Sequence, residues 1–519
     1  IINYTKKSLR PHGLGDFSVM GVFLQPPQSY RQSLVFNCRE KILRSCMMIT
    51  MLNEEGLTFK EIEEKIFRMV CEWGQSFARD FLEKYDEFLM KNRDKEAYRN
   101  KGLRETTIKT VFGEVNYSRR VYETTRDDGL KEFVYLLDEQ LHIPGVGLIS
   151  QNLADQLVAG ITEMSYRETA TKVTEMTGQR ISAMGVWKVI QTLGEKVCEE
   201  EANLVKAHKS GNVQGDIITP VLFEETDGVY VNLQREKQDM AEIKVGIAYD
   251  GWKQTGKDRF ALDEKVVVAG FSKAKEFQAY REAAIAEKYN TDEIEVRLMN
   301  ADGAEWIKNL SDADIVFQLD PFHRNKAIRD YVPYKEAIQE IHELLDEKDI
   351  AGLFEYLETY KNSLSDDAEI EKAEKLITYF ANNRQGLLSY QDQGILLPES
   401  PKGLTYRDMG TMENHIWSTI ARRMKHNHTC WSYRGGNHLA KILAKKCSGR
   451  LDEVSAKLKS PRFERGQTET IQHEILSAGT VPQKIGKGYR YPVSGHLTKL
   501  DNSSGITHQI CLAMVGCCN

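Results

Sequence analysis

The sequence predicts an α/β domain that is interrupted by helices and preceded by a mainly helical region with a β-hairpin. Three observations support this fold class. Five short apolar runs separated by turns follow one another between residues 217 and 319. Helical spacing of apolar residues dominates before residue 205, apart from one alternating stretch. An acidic helical pattern over 335–395 then separates the strands from a basic helical segment after residue 410.

Length and composition exclude several classes of protein. A chain of 519 residues predicts two or three domains, at roughly 150 residues for each domain. No apolar run reaches the about 18 residues that a membrane-spanning helix needs, which argues against a membrane protein. The nine cysteines lack the spacing of a disulfide framework or of a Cys-x-x-Cys zinc site, which predicts a reducing, cytoplasmic compartment.

Charge is distributed unevenly along the chain. The net charge of −6 argues against a nucleic-acid partner, but an average over several domains hides local fields. Residues 415–470 contain twelve Lys and Arg against four Asp and Glu, whereas residues 335–400 contain fifteen acidic and six basic residues. We therefore expect the two segments to have different roles, with the basic one near phosphate groups.

The region before residue 205 is predicted to be helical. The first fifty residues show neither a helical nor a strand period, and we expect a non-native or disordered leader there. From about Leu57 to Met90, apolar residues recur every three or four positions, as in a long amphipathic helix or a helix pair. Residues 106–123 alternate around a glycine and predict a β-hairpin with Arg119 and Arg120 exposed at one end.

Residues 164–195 have the outline of a helix-turn-helix. Ser165 begins one helix, Thr177 and Gly178 break it, and Ser182 is the expected N-cap of the next. Two interpretations remain equally weighted from the sequence. In the first, the helix over 183–194 reads the major groove of DNA, and in the second the segment is an ordinary helical hairpin.

The α/β domain is predicted from five strands and two helical patterns, over 273–288 and 303–310. The first three strands follow one another in meander order. The candidate strands are Ile217–Glu225, Ile243–Tyr249, Val266–Phe271, Ile294–Met299 and Ile315–Leu319.

Two of these strands lead into an Asp-Gly pair. Asp227 with Gly228 follows the first apolar run, where we expect the carboxylate beside a backbone kink at the strand end. Asp302 with Gly303 follows the fourth run and precedes a helix. Asp302 alone is explained as a helix N-cap. Two such pairs in one α/β domain favour a shared chemical role.

Further polar residues follow these strands. Asp320 and His323 form a D-x-x-H pattern at a helix start, for which we expect a structural or supporting role because no other ligand is near in sequence. Glu413 begins an amphipathic helix, where its charge also suits the helix dipole. Arg422, Arg423 and Lys425 follow it and would lie beside a bound phosphate.

Three of these carboxylates together suit the metal-dependent chemistry of phosphodiester bonds. Cleavage or transesterification of DNA uses two divalent ions about 3.5–4 Å apart, which clamp the attacking and leaving oxygens. Mg²⁺ or Mn²⁺ is held by a few carboxylates and water. Asp227, Asp302 and Glu413 would suffice as ligands and catalytic groups.

Several segments resemble one known family in order along residues 100–445. They are RVYE, ETDGVYVNLQ, EIKVGIAYDGW, NADGAEWI, LDPFHRNKA and MENHIWSTIARRMK with WSYRGGNHLAKI. This set is similar to the ISLre-type insertion-sequence transposases, bacterial DDE enzymes related to the Mutator-type superfamily. The resemblance implies an RNase H-like core with a mixed five-stranded sheet, in which Asp227, Asp302 and Glu413 are the catalytic residues.

The resemblance also implies partners and a place of action. The expected partners are the terminal repeats of the element and target DNA, bound by a homodimer or higher oligomer at the bacterial nucleoid. We expect DNA contacts from seven basic residues: Arg119, Arg120, Lys188, Arg422, Arg423, Lys425 and Arg434. The alternatives are an RNase H-like nuclease without strand transfer and a non-catalytic DNA-binding protein, including a decayed transposase.

The predicted organisation assigns each segment one role. It comprises a leader (1–50), a DNA-binding region (51–205), the first part of the core (206–334), a helical insertion (335–400), the last part of the core with the basic segment (401–480) and a tail (481–519).

Overall fold

The computed structural model describes residues 58–125, 129–143, 149–308, 315–426 and 429–457. The predicted leader over 1–50 and the tail over 481–519 lie outside these ranges. Within them, no helix combines the length and the apolar character that crossing a bilayer requires.

The N-terminal region consists of one long helix packed on a small antiparallel sheet. Helix α1 (Phe59–Asn92) begins at Thr58, which forms a capping box with Glu61. The sheet contains the predicted hairpin and one further strand. Its strands are β1 (Arg99–Thr110), β2 (Gly113–Thr125) and β3 (Lys131–Val134), in the order β1-β2-β3.

The expectation that Arg119 and Arg120 are exposed at the hairpin end is wrong. Arg120 is bound to the buried carboxylate of Asp86 on α1, at 2.6 Å. Arg119 pairs with Asp138 and stacks over the ring of Tyr135, 3.9 Å from its centroid. Both guanidinium groups therefore join the hairpin to helices, which the local sequence does not reveal.

The two helices predicted over 164–195 are α4 (Tyr166–Met176) and α5 (Ala183–Lys209), which follow α2 (Leu136–Leu141) and α3 (Gln151–Glu163). Ser165 and Ser182 are the N-caps of α4 and α5, as expected. The second helix is longer than predicted, and its apolar face is buried in the main core. Met184, Trp187 and Lys188 remain exposed near its start.

A mixed five-stranded sheet forms the centre of the molecule. Its strands are β4 (Val221–Asn232), β5 (Met240–Tyr249), β8 (Val266–Gly270), β9 (Val296–Ala301) and β10 (Ile315–Leu319), in the order β10-β9-β4-β5-β8. The pairs β4-β5 and β5-β8 are antiparallel, whereas β4-β9 and β9-β10 are parallel. This arrangement confirms the predicted RNase H-like sheet and the meander of its first three strands.

Two details of the sheet differ from the prediction. Strand β4 continues to Asn232 in unbroken register with β5, so Asp227 lies within a regular strand rather than at a kinked end. A second difference is a hairpin between β5 and β8, formed by β6 (Trp252–Gly256) and β7 (Arg259–Leu262) and joined by β11 (Leu404–Thr405).

Helices cover both faces of the sheet and fill the predicted helical insertion. On one face lies α6 (Ala274–Lys288), and the short α7 (Glu305–Lys308) follows β9. The segment after β10 is helical, as predicted, and has its own apolar core, which includes Ile328, Ile341, Leu357 and Phe380. Its helices are α8 (Pro321–Tyr331), α9 (Lys335–Asp346), α10 (Ile350–Ser363) and α11 (Asp367–Asn382).

The last described helices return to the opposite face of the sheet. Helix α12 (Met412–Ile416) continues through a π-helical turn, Trp417–Ala421, and through Arg422–Met424. Helices α13 (Tyr433–Cys447) and α14 (Leu451–Ala456) follow. Together with α3 and α5 they bury the apolar side chains of β4 and β5, which makes this layer the main core.

Replacement of Gly194 by alanine is expected to destabilise the protein, because α5 and α13 cross there without space for a side chain. A Cβ at Gly194 would lie 2.3 Å from the Cβ of His438. We expect the free energy of unfolding in urea to fall by about 1–3 kcal/mol. The control is Gly185→Ala in the same helix, whose Cβ first meets the flexible Ile181 side chain at 3.2 Å. Equal stability of the two variants would contradict the close helix crossing.

Candidate metal site

Strand β4 presents two carboxylates on one face of the sheet. Alternate residues of a strand share a face, so Glu225 and Asp227 face α12 while Glu224 faces α6. Asp227 is only 8% exposed, and its Oδ1 accepts a hydrogen bond from the backbone N–H of Gly228 at 2.6 Å. A Cβ at Gly228 would lie 2.2 Å from Oε1 of Glu242 on β5, so a larger residue there would displace the Glu242 side chain.

Asp302 follows the neighbouring parallel strand and is directed to the same place. In the register of β4 with β9, Ala301 lies opposite Thr226, so Asp302 comes next to Asp227. Its Oδ1 accepts from the backbone N–H of Ala304 at 2.9 Å, but α7 begins at Glu305, so Asp302 lies two residues before the N-cap position that the sequence predicts for it. Burial raises the pKa of Asp302, the Ala304 N–H lowers it, and the charge of Asp227 raises it further. A nearby cation would relieve this crowding of anions.

The two residues of the D-x-x-H pattern have different roles: Asp320 is structural, whereas His323 extends into the site. Asp320 is the N-cap of α8: its Oδ1 accepts from the backbone N–H groups of Phe322 and His323, and its Oδ2 accepts from Asn300 at 2.7 Å. Both oxygens of Asp320 are thereby used. His323 instead extends to the site, with Nε2 3.4 Å from Oδ2 of Asp227. Hydrogen bonding to Asp227 raises the pKa of His323, while burial opposes this shift.

Glu225 fixes the start of the helix that carries Glu413. The Glu225 side chain is fully buried. Its Oε2 accepts from the backbone N–H groups of Gly410, Thr411 and Met412 at 3.2, 2.9 and 3.1 Å. Its Oε1 accepts from the hydroxyls of Thr411 and Tyr249 at 2.5 and 2.8 Å. Glu413, one residue further, is exposed towards the cleft.

The sequence-predicted carboxylates line one cleft. Asp227, Asp302 and Glu413 border it together with Asp320 and His323. One ligand atom each from Asp227, His323 and Glu413 lies within 4.8 Å of the other two, so this group could hold a metal ion. Two carboxylates and an imidazole suit a divalent ion such as Mn²⁺, and the third carboxylate, Asp302, suits Mg²⁺ or Mn²⁺ beside it. The donor set therefore fits the implied cations.

The positions of His323 and Glu225 in the site are not evident from the sequence. For His323 the sequence predicts only a structural or supporting role, because Asp227 and Glu413 lie about ninety residues away along the chain on either side. Glu225 stands in the same run as Asp227, and its two-residue spacing was the available signal that both face the same way. Hydrogen bonds engage both carboxylate oxygens of Glu225 and of Asp320.

The predicted DNA-contacting residues have different environments. Arg423 is 9% exposed, and its Nε donates to the carbonyl of Ile161 at 2.8 Å, so it stabilises the core. Arg422 pairs with Glu163 and Arg434 with Glu195 at the surface. Lys188 and Lys425 are exposed. Surface ion pairs are weak and leave Arg422 and Arg434 able to exchange partners.

Replacement of Glu225 by glutamine should weaken metal binding although its carboxylate lies outside the ligand group. The amide places an NH₂ donor among N–H and O–H donors, so the start of α12 loses an acceptor. We expect Mn²⁺ affinity, measured by titration calorimetry on the folded protein, to fall about 10- to 100-fold. The matched control is Glu224→Gln, which disturbs the buried ion pairs with Arg281 and Arg297 on the opposite face. Equal metal affinity in both variants would refute the role of Glu225.

Protonation of His415 at acid pH is expected to destabilise the helix that carries Glu413. Burial, and then the charge of Lys265, lower the pKa of His415 to about 4 from 6.5. The folded state thus binds fewer protons than the unfolded state, and stability is lost as the pH falls below about 6.5. Between pH 7 and pH 5 the wild type should lose about 2 kcal/mol more than His415→Gln, as measured by urea unfolding. Identical pH dependence of the two proteins would exclude this contribution.

Comparison with known proteins gives a family without an assigned activity. Among curated proteins, one relative from Caldanaerobacter subterraneus subsp. tengcongensis is 22% identical over 412 residues, or 78% of this chain and 82% of the relative. A second from the same organism is 24% identical over 78% of this chain and 81% of its own length, and its name carries eleven locus designations. Both are named UPF0236 proteins. A model of the uncharacterised protein family UPF0236 matches residues 52–458, and the chain therefore belongs to this family.

Proposed function

We propose that the protein is a DDE-type transposase that cleaves DNA at the ends of an insertion sequence and joins the 3′ ends to target DNA. The observation that carries this proposal is the convergence of Asp227, Asp302 and Glu413 on one cleft of an RNase H-like sheet. They come from the first strand, the end of the fourth strand and a helix that follows an inserted helical segment. The order is the one that the resemblance to ISLre-type transposases implies.

The cleft supplies the parts that phosphoryl transfer needs. Two divalent cations bound there would activate the attacking oxygen and stabilise the leaving oxygen. Asp227 offers Oδ2 towards the cleft, because its Oδ1 is engaged by Gly228. Glu413 is exposed, so its carboxylate has room to adjust to a bound cation. In the absence of a cation, Nε2 of His323 lies 3.4 Å from Oδ2 of Asp227 and orients that carboxylate; once deprotonated, His323 would instead offer a nitrogen ligand.

The proposed DNA partner fits the charge of the last core segment. Lys425, Arg422 and Arg434 lie on or after the helix of Glu413, and Lys188 is exposed at the start of α5. Phosphate contacts from these residues should make DNA affinity decrease with salt. Recognition of terminal repeats is assigned to the N-terminal region, since phosphate contacts position DNA without reading its sequence.

The name of one relative adds a second line of support. Eleven locus designations for one protein of one organism describe a gene present in many copies. A gene carried by an element that inserts new copies of itself accumulates in this way. A stationary nuclease or a regulator offers no comparable reason for so many copies.

Loss of any of the three carboxylates should abolish DNA cleavage and joining. With Mg²⁺ and DNA carrying the flanks of the gene, we expect Asp227→Asn, Asp302→Asn and Glu413→Gln to lose at least about a hundredfold in rate, because charge stabilisation of the transition state is removed. The control is Asp258→Asn, an exposed acid in the turn between β6 and β7. Rates are measured from labelled ends on sequencing gels, with chelator as the metal-free reference.

The products separate the proposal from its alternatives. Joined 3′ ends support a transposase, whereas hydrolysis without joining indicates a nuclease of the same fold. DNA binding without cleavage, and without a metal site in calorimetry, indicates a non-catalytic DNA-binding protein. Cleavage that persists undiminished in Asp227→Asn would refute the site assignment itself.

A further inference from the structure

An apolar stripe runs along the full length of α1 and is exposed. Its members are large side chains that are between 44% and 79% exposed: Phe59, Ile66, Val70, Phe77, Phe81 and Phe88. Such spacing normally marks the buried face of an amphipathic helix. Here the described elements that pack on α1 are mainly β2 and α2, which leave this stripe uncovered.

The stripe occupies one narrow face of a long helix. At about 100° of rotation per residue, the six side chains fall within an arc of about 60°. The 34 residues of α1 extend over about 50 Å at 1.5 Å per residue. A continuous row of this kind is typical of a helix that pairs lengthwise with another helix.

We propose that α1 pairs with α1 of a second copy of this chain in an antiparallel dimer. The stripe is symmetric about a point between residues 73 and 74. Phe59 and Phe88 lie equally far from this point, as do Ile66 and Phe81. Val70 and Phe77 form the innermost pair. A two-fold axis through this point therefore places each apolar side chain at the level of another, as an isologous interface requires.

Two charged residues within the stripe determine the direction of pairing. Glu63 and Lys84 are exposed in the same arc and are also equidistant from the symmetry point. In an antiparallel pair each Glu63 lies at the level of the partner copy's lysine at the same position in its stripe. In a parallel pair, glutamates would lie beside glutamates and lysines beside lysines. Like charges at one level are unfavourable, so the sequence selects the antiparallel arrangement.

The exposed area is sufficient for a stable dimer. Four phenylalanines, one isoleucine and one valine, each about half exposed, offer on the order of 600 Å² of apolar surface per copy. Two copies would bury about 1,200 Å², which exceeds the roughly 1,000 Å² expected of a specific interface. An apolar patch of about this size is at the upper end of what a soluble monomer exposes, and such patches often mark an interaction site. A homodimer is also what the resemblance to transposases implies, but the surface and the direction of pairing proposed here use no residue of the metal site and do not rest on the proposed function.

The pairing is tested by measuring mass against concentration in analytical ultracentrifugation of the full chain. Val70→Glu and Phe77→Glu each place a carboxylate at the centre of the interface, and we expect the dimer dissociation constant to rise at least about 30-fold. The control is Leu396→Glu, a residue that is 94% exposed outside α1. It should leave the dissociation constant unchanged.

Charge reversal tests the direction of helix pairing, and recovery in the double variant shows that the single variants are not merely misfolded. Glu63→Lys and Lys84→Glu each create like charges at two levels of an antiparallel dimer, so each should weaken it about tenfold. The chain carrying both reversals should recover the wild-type dissociation constant. Failure of the double variant to recover would overturn the antiparallel arrangement. A wild type that stays monomeric, with the stripe covered by the segment before residue 58, would overturn the dimer.

Discussion

The buried carboxylate of Glu225 is the interaction on which the geometry of the site depends. A fully buried charge is costly unless hydrogen bonds compensate it. Glu225 accepts from Tyr249, from Asn300, from the Thr411 hydroxyl and from three successive backbone N–H groups at the start of α12. One side chain thus joins three central strands to the helix that carries Glu413. Burial raises the pKa of Glu225, and these donors counteract the shift.

This connection explains how a distant part of the chain reaches the cleft accurately. More than ninety residues separate β10 from Glu413, so sequence proximity cannot position the helix. The inserted helices fold around a core of their own and touch the cleft at its edge. There, the Tyr379 hydroxyl donates to the carbonyl of Asp302 at 2.9 Å, and Asn383 leaves no space for a side chain at Gly303. The insertion therefore supports the loop of Asp302, while Glu225 positions α12.

Much of the fold was predictable because strands and helices leave different periods in the sequence. The strand runs of the five-stranded sheet, the helical insertion and the caps at Ser165 and Ser182 are local features. The partners of Arg119 and Arg120 were not predictable, since Asp138 and Asp86 are brought close only by tertiary packing. The spacing of apolar residues over 57–90 also predicts helix α1 correctly. The exposure of these apolar side chains could not be predicted, because their spacing does not indicate which surface, if any, covers them.

In the candidate site, too, some residues could be predicted from the local sequence, whereas others reach the site only through tertiary contacts. Asp227 and Asp302 follow from strands that pair in parallel register, and Glu413 from a helix start. The nearness of His323 to Asp227 depends on how α8 leaves β10, and it is set by Asp320, whose carboxylate binds Asn300 on the neighbouring strand. The D-x-x-H pattern thus identifies Asp320 and His323 as residues of interest. It does not reveal that Asp320 orients the helix or that His323 reaches the cleft.

Electrostatics connects this arrangement to what the cleft can bind. Burial, and in addition the charge of Asp227, raise the pKa of Asp302, while hydrogen bonding to Asp227 raises the pKa of His323. The contribution of Asp227 to both shifts has one physical meaning: positive charge is stabilised between these side chains, whether a proton or a cation provides it. A proton on His323 can neutralise only one carboxylate, whereas a divalent ion can satisfy several oxygens together. Competition between protons and divalent cations follows directly, and it makes metal affinity a property of the whole cleft rather than of a single carboxylate.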